Sequence, residues 1–206
     1  MKILNLYAGI GGNRKLWGDE HEVVAVEINP KIAKIYQDFF PNDKVIVADA
    51  HKYLWEHYKE FDFIWSSPPC PTHSRIRFLH HVKEDTRPTP YPDMKLWQEI
   101  IFLKYWFKGN WVVENVMIYY EPLIKPFVSG NHFFWSNFNI SKVNPIKRDI
   151  RRDNKKDKWD FDLSKYNLRE PIRTKMLNNM VYPYLGLHVF NCAFKTKQVL
   201  LSEKLC

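Results

Sequence analysis

One cysteine in this chain is placed for chemistry. In Phe63-Ile64-Trp65-Ser66-Ser67-Pro68-Pro69-Cys70-Pro71 an apolar run stops at two prolines. Prolines give no N–H to a sheet ladder and keep their neighbours extended. Cys70 is therefore expected on a stiff loop at the carboxyl end of a buried strand, where open α/β sheets bind their ligands. A thiolate held there can act as a covalent nucleophile. A lone cysteine is more often an inert apolar side chain. What favours the reactive reading is the company it keeps: Glu27, Asp49 and Glu114 each end another apolar run.

The elements that must position these groups alternate. Lys2 to Tyr7 reads as a strand, Ala8-Gly9-Ile10-Gly11-Gly12 as a tight turn, and the residues through Leu16 and Trp17 as a short helix. Strand, glycine turn and helix open a Rossmann-like nucleotide site, although Arg14 stands where a dinucleotide fingerprint needs a small residue. Glu27 ends a second strand about 20 residues beyond the turn, the distance at which such folds place an acid on ribose hydroxyls. Asn29-Pro30 begins a helix running to Phe40. Asp49, after Val45-Ile46-Val47-Ala48, can accept from an adenine amino group or cap the helix that starts near His51; both roles stay open. Asp93 caps a helix to Phe107 with an apolar stripe at Leu96, Ile100, Leu103 and Phe107. A fifth strand, Trp111 to Val116, carries Glu114, and a last helix spans Leu185 to Phe194. The expectation is one catalytic domain over residues 1–206, α/β, with a mostly parallel sheet and helices on both faces.

Composition bounds the partners. The chain has 206 residues, 45% of them apolar and 16% aromatic, with a net charge of +8. Such a basic balance favours a polyanion, nucleic acid before acidic membrane. No apolar run approaches the roughly 20 residues of a membrane span. Three cysteines without paired spacing predict neither a disulfide framework nor a metal site, and a reducing, cytoplasmic setting. Thr72 to Pro92, with Arg75, Arg77, Arg87, His80 and His81, reads as a long functional loop whose histidines are solvated or face nucleic acid. Lys142 to Lys158 holds eight basic residues against three aspartates, a net +5, and is either a mobile loop or a phosphate-binding strip.

Taken in order, these segments resemble the cytosine-5 DNA methyltransferase family. Leu6-Tyr7-Ala8-Gly9-Ile10-Gly11-Gly12 is similar to its first motif, Pro68-Pro69-Cys70 with Ser74 to its nucleophile loop, Glu114-Asn115-Val116 to its Glu-Asn-Val motif, and Asn179 through Pro183 to its last motif. The resemblance covers most of residues 1–116 and resumes near 176. It implies a Rossmann-like fold that binds S-adenosylmethionine through Tyr7, Ala8, Gly9, Ile10, Gly11, Gly12, Glu27, Ile28, Asp49, Ala50, Pro69, Asn179 and Val181. It implies catalysis by Cys70 with Ser74, Arg75, Glu114 and Asn115, and double-stranded DNA as partner.

Three features depart from the family, one being Asn178 where its last motif usually has a glycine. A Gln-x-Arg-x-Arg motif is missing, with Lys147, Arg148 and Arg151 a poor substitute, and the target-recognition region shrinks to about residues 140–175. Arg75, Arg77, Lys147, Arg148, Arg151 and Arg152 are the expected nucleic-acid contacts. With so short a region, relaxed sequence preference and steep salt dependence are expected.

The implied reaction adds the Cys70 thiolate to carbon 6 of cytosine, so that carbon 5 can attack a methyl group. A protonated Glu114 meets ring N3, Asn115 holds the loop, and the base leaves the helix to react. Amino-methyltransferases share Ser67-Pro68-Pro69 but not Cys70. A catalytically idle DNA-binding relative and an RNA cytosine-5 methyltransferase are the remaining alternatives.

Overall fold

Apolar runs with β-branched residues build the centre of the sheet. In the computed structural model, which describes residues 1–75, 78–79, 91–144 and 161–194, strands β1 (Lys2–Leu6), β2 (Glu22–Val26), β3 (Lys44–Ile46), β4 (Phe63–Ser66) and β5 (Asn110–Val116) are parallel. Two further strands, β6 (Phe127–Ser129) and β7 (His132–Ser136), complete a seven-stranded sheet in the order β3-β2-β1-β4-β5-β7-β6. β7 runs antiparallel to both β5 and β6. Only Gly130 and Asn131 join β6 to β7, and Gly130 has φ +58°. Such a Gly-Asn pair between apolar runs is a tight hairpin signal.

Alternate residues of the central strands face opposite ways, so both faces are apolar and both need cover. Leu4, Leu6, Val24, Val26, Ile64 and Val113 lie under helices α2 (Ala50–His57) and α3 (Lys95–Trp106). Ile3, Val23, Phe63, Trp65, Val112 and Phe134 pack on α5 (Pro183–Phe194) through Leu185, Val189 and Phe190. α1 (Pro30–Phe39) covers the same side nearer β2, with Phe161, Leu163 and residues of α4 (Ile172–Asn179). The architecture is the expected Rossmann-like one, with helices on both faces.

Two local expectations change. The residues after the glycine turn form no helix but successive turns, Gly11 N–H to Ala8 O (2.9 Å), Arg14 N–H to Gly11 O (3.1 Å) and Trp17 N–H to Arg14 O (3.1 Å). Left-handed backbone at Gly9 and Gly11 is incompatible with a helix starting there. Arg14, odd for a fingerprint, is almost wholly buried, and its Nε and Nη2 each donate 3.0 Å to the buried Asp43 carboxylate. Tyr36 adds its hydroxyl to the same carboxylate at 2.8 Å. Breaking a buried bidentate pair of this kind costs about 3–5 kcal/mol, so Arg14 is a fastener beneath the turn.

Candidate active site

β1 has β2 on one side and β4 on the other, so the strand order reverses there, and a crevice is expected above the carboxyl ends of β1 and β4. The glycine turn leaves β1 into that crevice. Tyr7, Gly9 and Gly11 have φ of 55°, 55° and 85°, a conformation that only glycine adopts freely. A Cβ placed on Gly9 would meet nothing within 4 Å, so the backbone there opens to a ligand. A Cβ on Gly12 would lie 2.4 Å from the Val181 carbonyl and 2.8 Å from Met180 Cβ. Gly12 therefore lets the Asn179–Val181 segment lie directly against the turn.

Glu27 follows β2 and is buried. Its Oε2 accepts from Gly9 N–H (3.1 Å) and its Oε1 from Asn29 N–H (2.9 Å), tying to the glycine turn a carboxylate that was expected on ribose hydroxyls. Ile28 beside it is exposed, an apolar side chain left at the crevice. Asp49 does cap α2: Oδ1 accepts from the N–H groups of His51 (2.8 Å) and Lys52 (3.2 Å), while Oδ2 lies 3.8 Å from Lys95 Nζ. Partial burial would raise its pKa. That is outweighed by the Lys52 N–H, the Lys95 charge and the His51 N–H, which hold the carboxyl below its ordinary value. Ala50 is buried at the start of α2.

The loop that carries Cys70 leaves β4 beside this turn. Ser67 N–H donates to Leu6 O (3.4 Å), Pro68 is buried and Pro69 exposed. Asn115, 1% exposed on β5, donates from Nδ2 to Pro68 O at 3.0 Å. Cys70 is half-buried, and its carbonyl accepts from both His73 N–H and Ser74 N–H at 3.0 Å. Beyond it the loop is fastened to the chain that follows β5. Ser74 bridges Ile118, Tyr119 N–H donates to His73 O (3.1 Å), Phe78 stacks on Tyr119, and His73 Nδ1 lies 2.6 Å from the Tyr120 hydroxyl. Burial pushes the His73 imidazole below its ordinary pKa, against the pull of Asp93. Arg75 is exposed just past Ser74. Arg77, Arg87, His80, His81, Lys147, Arg148, Arg151, Arg152 and Cys206 lie outside the described residues.

Glu114, 6% exposed, stands one residue past Val113, the partner of Ser66 on β4. It thus occupies the same sheet edge as the Cys70 loop. Its Oε1 lies 2.6 Å from Nδ1 of His132 on β7.

Glu99 of α3 was not expected. It is fully buried and takes three contacts: the Tyr7 hydroxyl donates to Oε1 at 2.5 Å, His51 Nδ1 lies 2.9 Å from the same oxygen, and Ser66 Oγ donates to Oε2 at 2.6 Å. One carboxylate thereby joins the glycine turn, the start of α2 and the end of β4. Burial first, then the charge and hydrogen bond of Glu99, drive the Tyr7 phenol far above its ordinary pKa. Position 99 falls inside the apolar stripe Leu96, Ile100, Leu103 at helical spacing, where an acid reads as an interruption rather than as a buried hub.

Among the described residues no helix is long and apolar enough to cross a membrane, and no group of three His, Cys, Asp or Glu side chains is gathered to hold a metal ion. The family model for the C-5 cytosine-specific DNA methylase matches residues 1–116, from β1 through Glu114-Asn115-Val116. Among solved structures, a mutant of Spodoptera frugiperda DNMT2 is 29% identical over 56% of this chain and 35% of its own, with a TM-score of 0.39. The Entamoeba histolytica methyltransferase EhMeth is 16% identical over 56% and 38%, with a TM-score of 0.37. A SAM-dependent methyltransferase from Agrobacterium tumefaciens is 15% identical over 58% and 40%, with a TM-score of 0.39. The chain spans 40% or less of each of these three. No curated protein sequence matches it.

Proposed function

Because the chain belongs to the C-5 cytosine-specific DNA methylase family, whose cofactor is S-adenosylmethionine, we propose that it methylates carbon 5 of a cytosine flipped out of double-stranded DNA, through a covalent adduct on Cys70. One contact supports this reading above the rest. The Asn115 side chain donates to the Pro68 carbonyl at 3.0 Å, which ties the Cys70 loop to the strand carrying Glu114, beside the open turn at Gly9.

The crevice fits the cofactor: the backbone is open at Gly9, Glu27 and Asp49 offer carboxylates for ribose and adenine, and Ile28 offers an apolar surface. When bound, the cofactor supplies an electrophilic methyl group on a sulfonium. The chain's own residues do the rest. Cys70 as thiolate forms a bond to carbon 6, and the displaced π electrons make carbon 5 nucleophilic. Glu114 gives ring N3 a proton as negative charge builds there. After carbon 5 is methylated, water takes its proton, the electrons of that C–H bond restore the C5–C6 double bond and expel Cys70 as thiolate, and N3 releases the proton it took up. Asn115 keeps the loop in place throughout, and Arg75 is free to meet a phosphate or the base oxygen.

Radiolabelled methyl transfer into duplex DNA, run beside single-stranded RNA, tests this proposal. Wild type should label DNA at carbon 5, Cys70→Ala should label nothing while binding cofactor normally, and DNA containing 5-fluorocytosine should be trapped covalently only by wild type. Full activity in Cys70→Ala refutes the mechanism, and labelling confined to RNA refutes the substrate.

A further inference from the structure

We propose that His132 is the positioning residue for Glu114: it holds one carboxyl oxygen, leaves the other for cytosine N3, and replaces the proton that the ring takes up. The proposal rests on the reaction proposed above and adds a residue which that reaction does not name.

Strand pairing puts the two side chains together. β7 is antiparallel to β5, with Glu114 opposite Phe134 and Val116 opposite His132. Opposed residues share a face and residues two apart share it as well, so Glu114 and His132 are diagonal neighbours. The two-residue Gly130-Asn131 turn sets the register, since Ser129 pairs with His132 across it. A slip of one residue would send the imidazole to the other face.

Glu114 is buried, and a buried carboxyl must be hydrogen-bonded. Among the described residues its partner is His132 Nδ1, 2.6 Å from Oε1, a separation in the range of charge-assisted bonds. With Oε1 engaged, Oε2 is the oxygen left for substrate. The pair also holds a proton in common, because imidazolium with carboxylate and imidazole with carboxylic acid carry the same number. When N3 takes the shared proton from Oε2, Glu114 is left as carboxylate beside neutral imidazole, and N3 gains one N–H; a proton from water then turns the imidazole into imidazolium and restores the pair's shared proton. His132, whose side chain is 14% exposed against 8% for Glu114, is the member of the pair better placed to regain a proton from water.

Glu114 is the charged group that meets His132 from β5, where Asn115 and Val116 are uncharged. From β6 the facing residue is Ser129, and on β7 itself the imidazole lies 6.2 Å from the Phe134 ring. The proposal therefore predicts that the wild-type rate falls as pH rises and that the fall depends on His132.

The test measures single-turnover methyl transfer into DNA against pH for wild type, His132→Ala and His132→Gln, with cofactor affinity by calorimetry confirming that each variant is folded. His132→Ala should lose on the order of 10²-fold in rate near neutral pH, keep its cofactor affinity, lose the alkaline fall in rate, and recover partly when imidazole is added. His132→Gln, which can hold Oε1 but carries no exchangeable charge, should lose the alkaline fall as well. A wild-type rate and pH profile in both variants overturns the proposal while leaving Cys70 chemistry intact. Wild-type protein without Cys70-dependent transfer overturns the underlying reaction, and this proposal with it.

Discussion

Glu99→Gln is the perturbation that most directly tests how the site is held. The carboxylate answers three groups, at 2.5, 2.6 and 2.9 Å, in a position with no solvent access. A glutamine can keep its oxygen toward Tyr7 and His51 and turn its amide to Ser66, whose hydroxyl can accept instead. Bonds to a charged acceptor are worth about 1.5–3 kcal/mol and neutral ones about 0.5–1.5, so the exchange removes roughly 1 kcal/mol from each of three bonds. Glutamine avoids burying a charge, which returns part of that loss and leaves a destabilisation of about 1–3 kcal/mol. Glu99→Leu leaves three polar groups unanswered at about 1–3 kcal/mol each, a loss comparable to the roughly 5–15 kcal/mol by which domains are stable. Urea unfolding followed by the fluorescence of the eight tryptophans reads the stability, and calorimetry reads cofactor affinity. Because Tyr7 begins the glycine turn, affinity should fall with stability, by about tenfold for each 1.4 kcal/mol lost at the turn. A Glu99→Gln protein with unchanged unfolding midpoint and unchanged affinity would refute this account of the junction.

Other outcomes follow from single contacts. Asn115→Ala removes the bond to Pro68 O and should slow transfer about tenfold or more, since a buried polar group left unpaired costs about 1–3 kcal/mol, while cofactor affinity stays within twofold; equal rates would unlink the loop from β5. Glu27→Ala should lower both cofactor affinity and stability, because the carboxylate also receives Gly9 and Asn29 N–H, and a loss of affinity alone would show that these bonds hold nothing. Burial lowers the His73 pKa, so its contribution to stability is full above the unfolded value near 6.5 and is lost as pH falls toward the folded value. His73→Gln should therefore flatten the stability profile just below pH ~6.5, and an identical profile would count against the assignment. Replacing Lys147, Arg148, Arg151 and Arg152 with Ala should weaken DNA binding about equally across sequences and flatten its salt slope, an expectation that sequence-selective loss would contradict.

The parts of the site that follow apolar runs were legible from sequence, and the parts that meet across strands were not. Glu27, Asp49, Cys70 and Glu114 each close an apolar run, and a run followed by a polar residue is visible along the chain. His132 becomes a partner of Glu114 only through antiparallel pairing of β7 with β5, and β6 is three residues long, too short to announce itself. Glu99 was concealed differently, since the helical stripe is apolar and its one acid looks like an interruption. The helix expected after Gly12 failed because the turn continues through i to i+3 bonds. Asp49, open between two roles, has one oxygen capping α2 and the other near Lys95.

The contact of Gly12 with Met180 and Val181 has a consequence for the order of assembly. The crevice is lined by a turn made within the first dozen residues and closed by a segment about 170 positions later, and Trp17 Nε1 reaches the Gly186 carbonyl across a similar span, at 3.5 Å. Contacts this distant in sequence cannot form until the intervening chain exists, and they are slow to find each other. On the ribosome, where the N-terminal part emerges first, the turn is made about 170 residues before the segment that packs on it. A chain cut before Met180 therefore carries Cys70 and Glu114 without the segment that packs on Gly12.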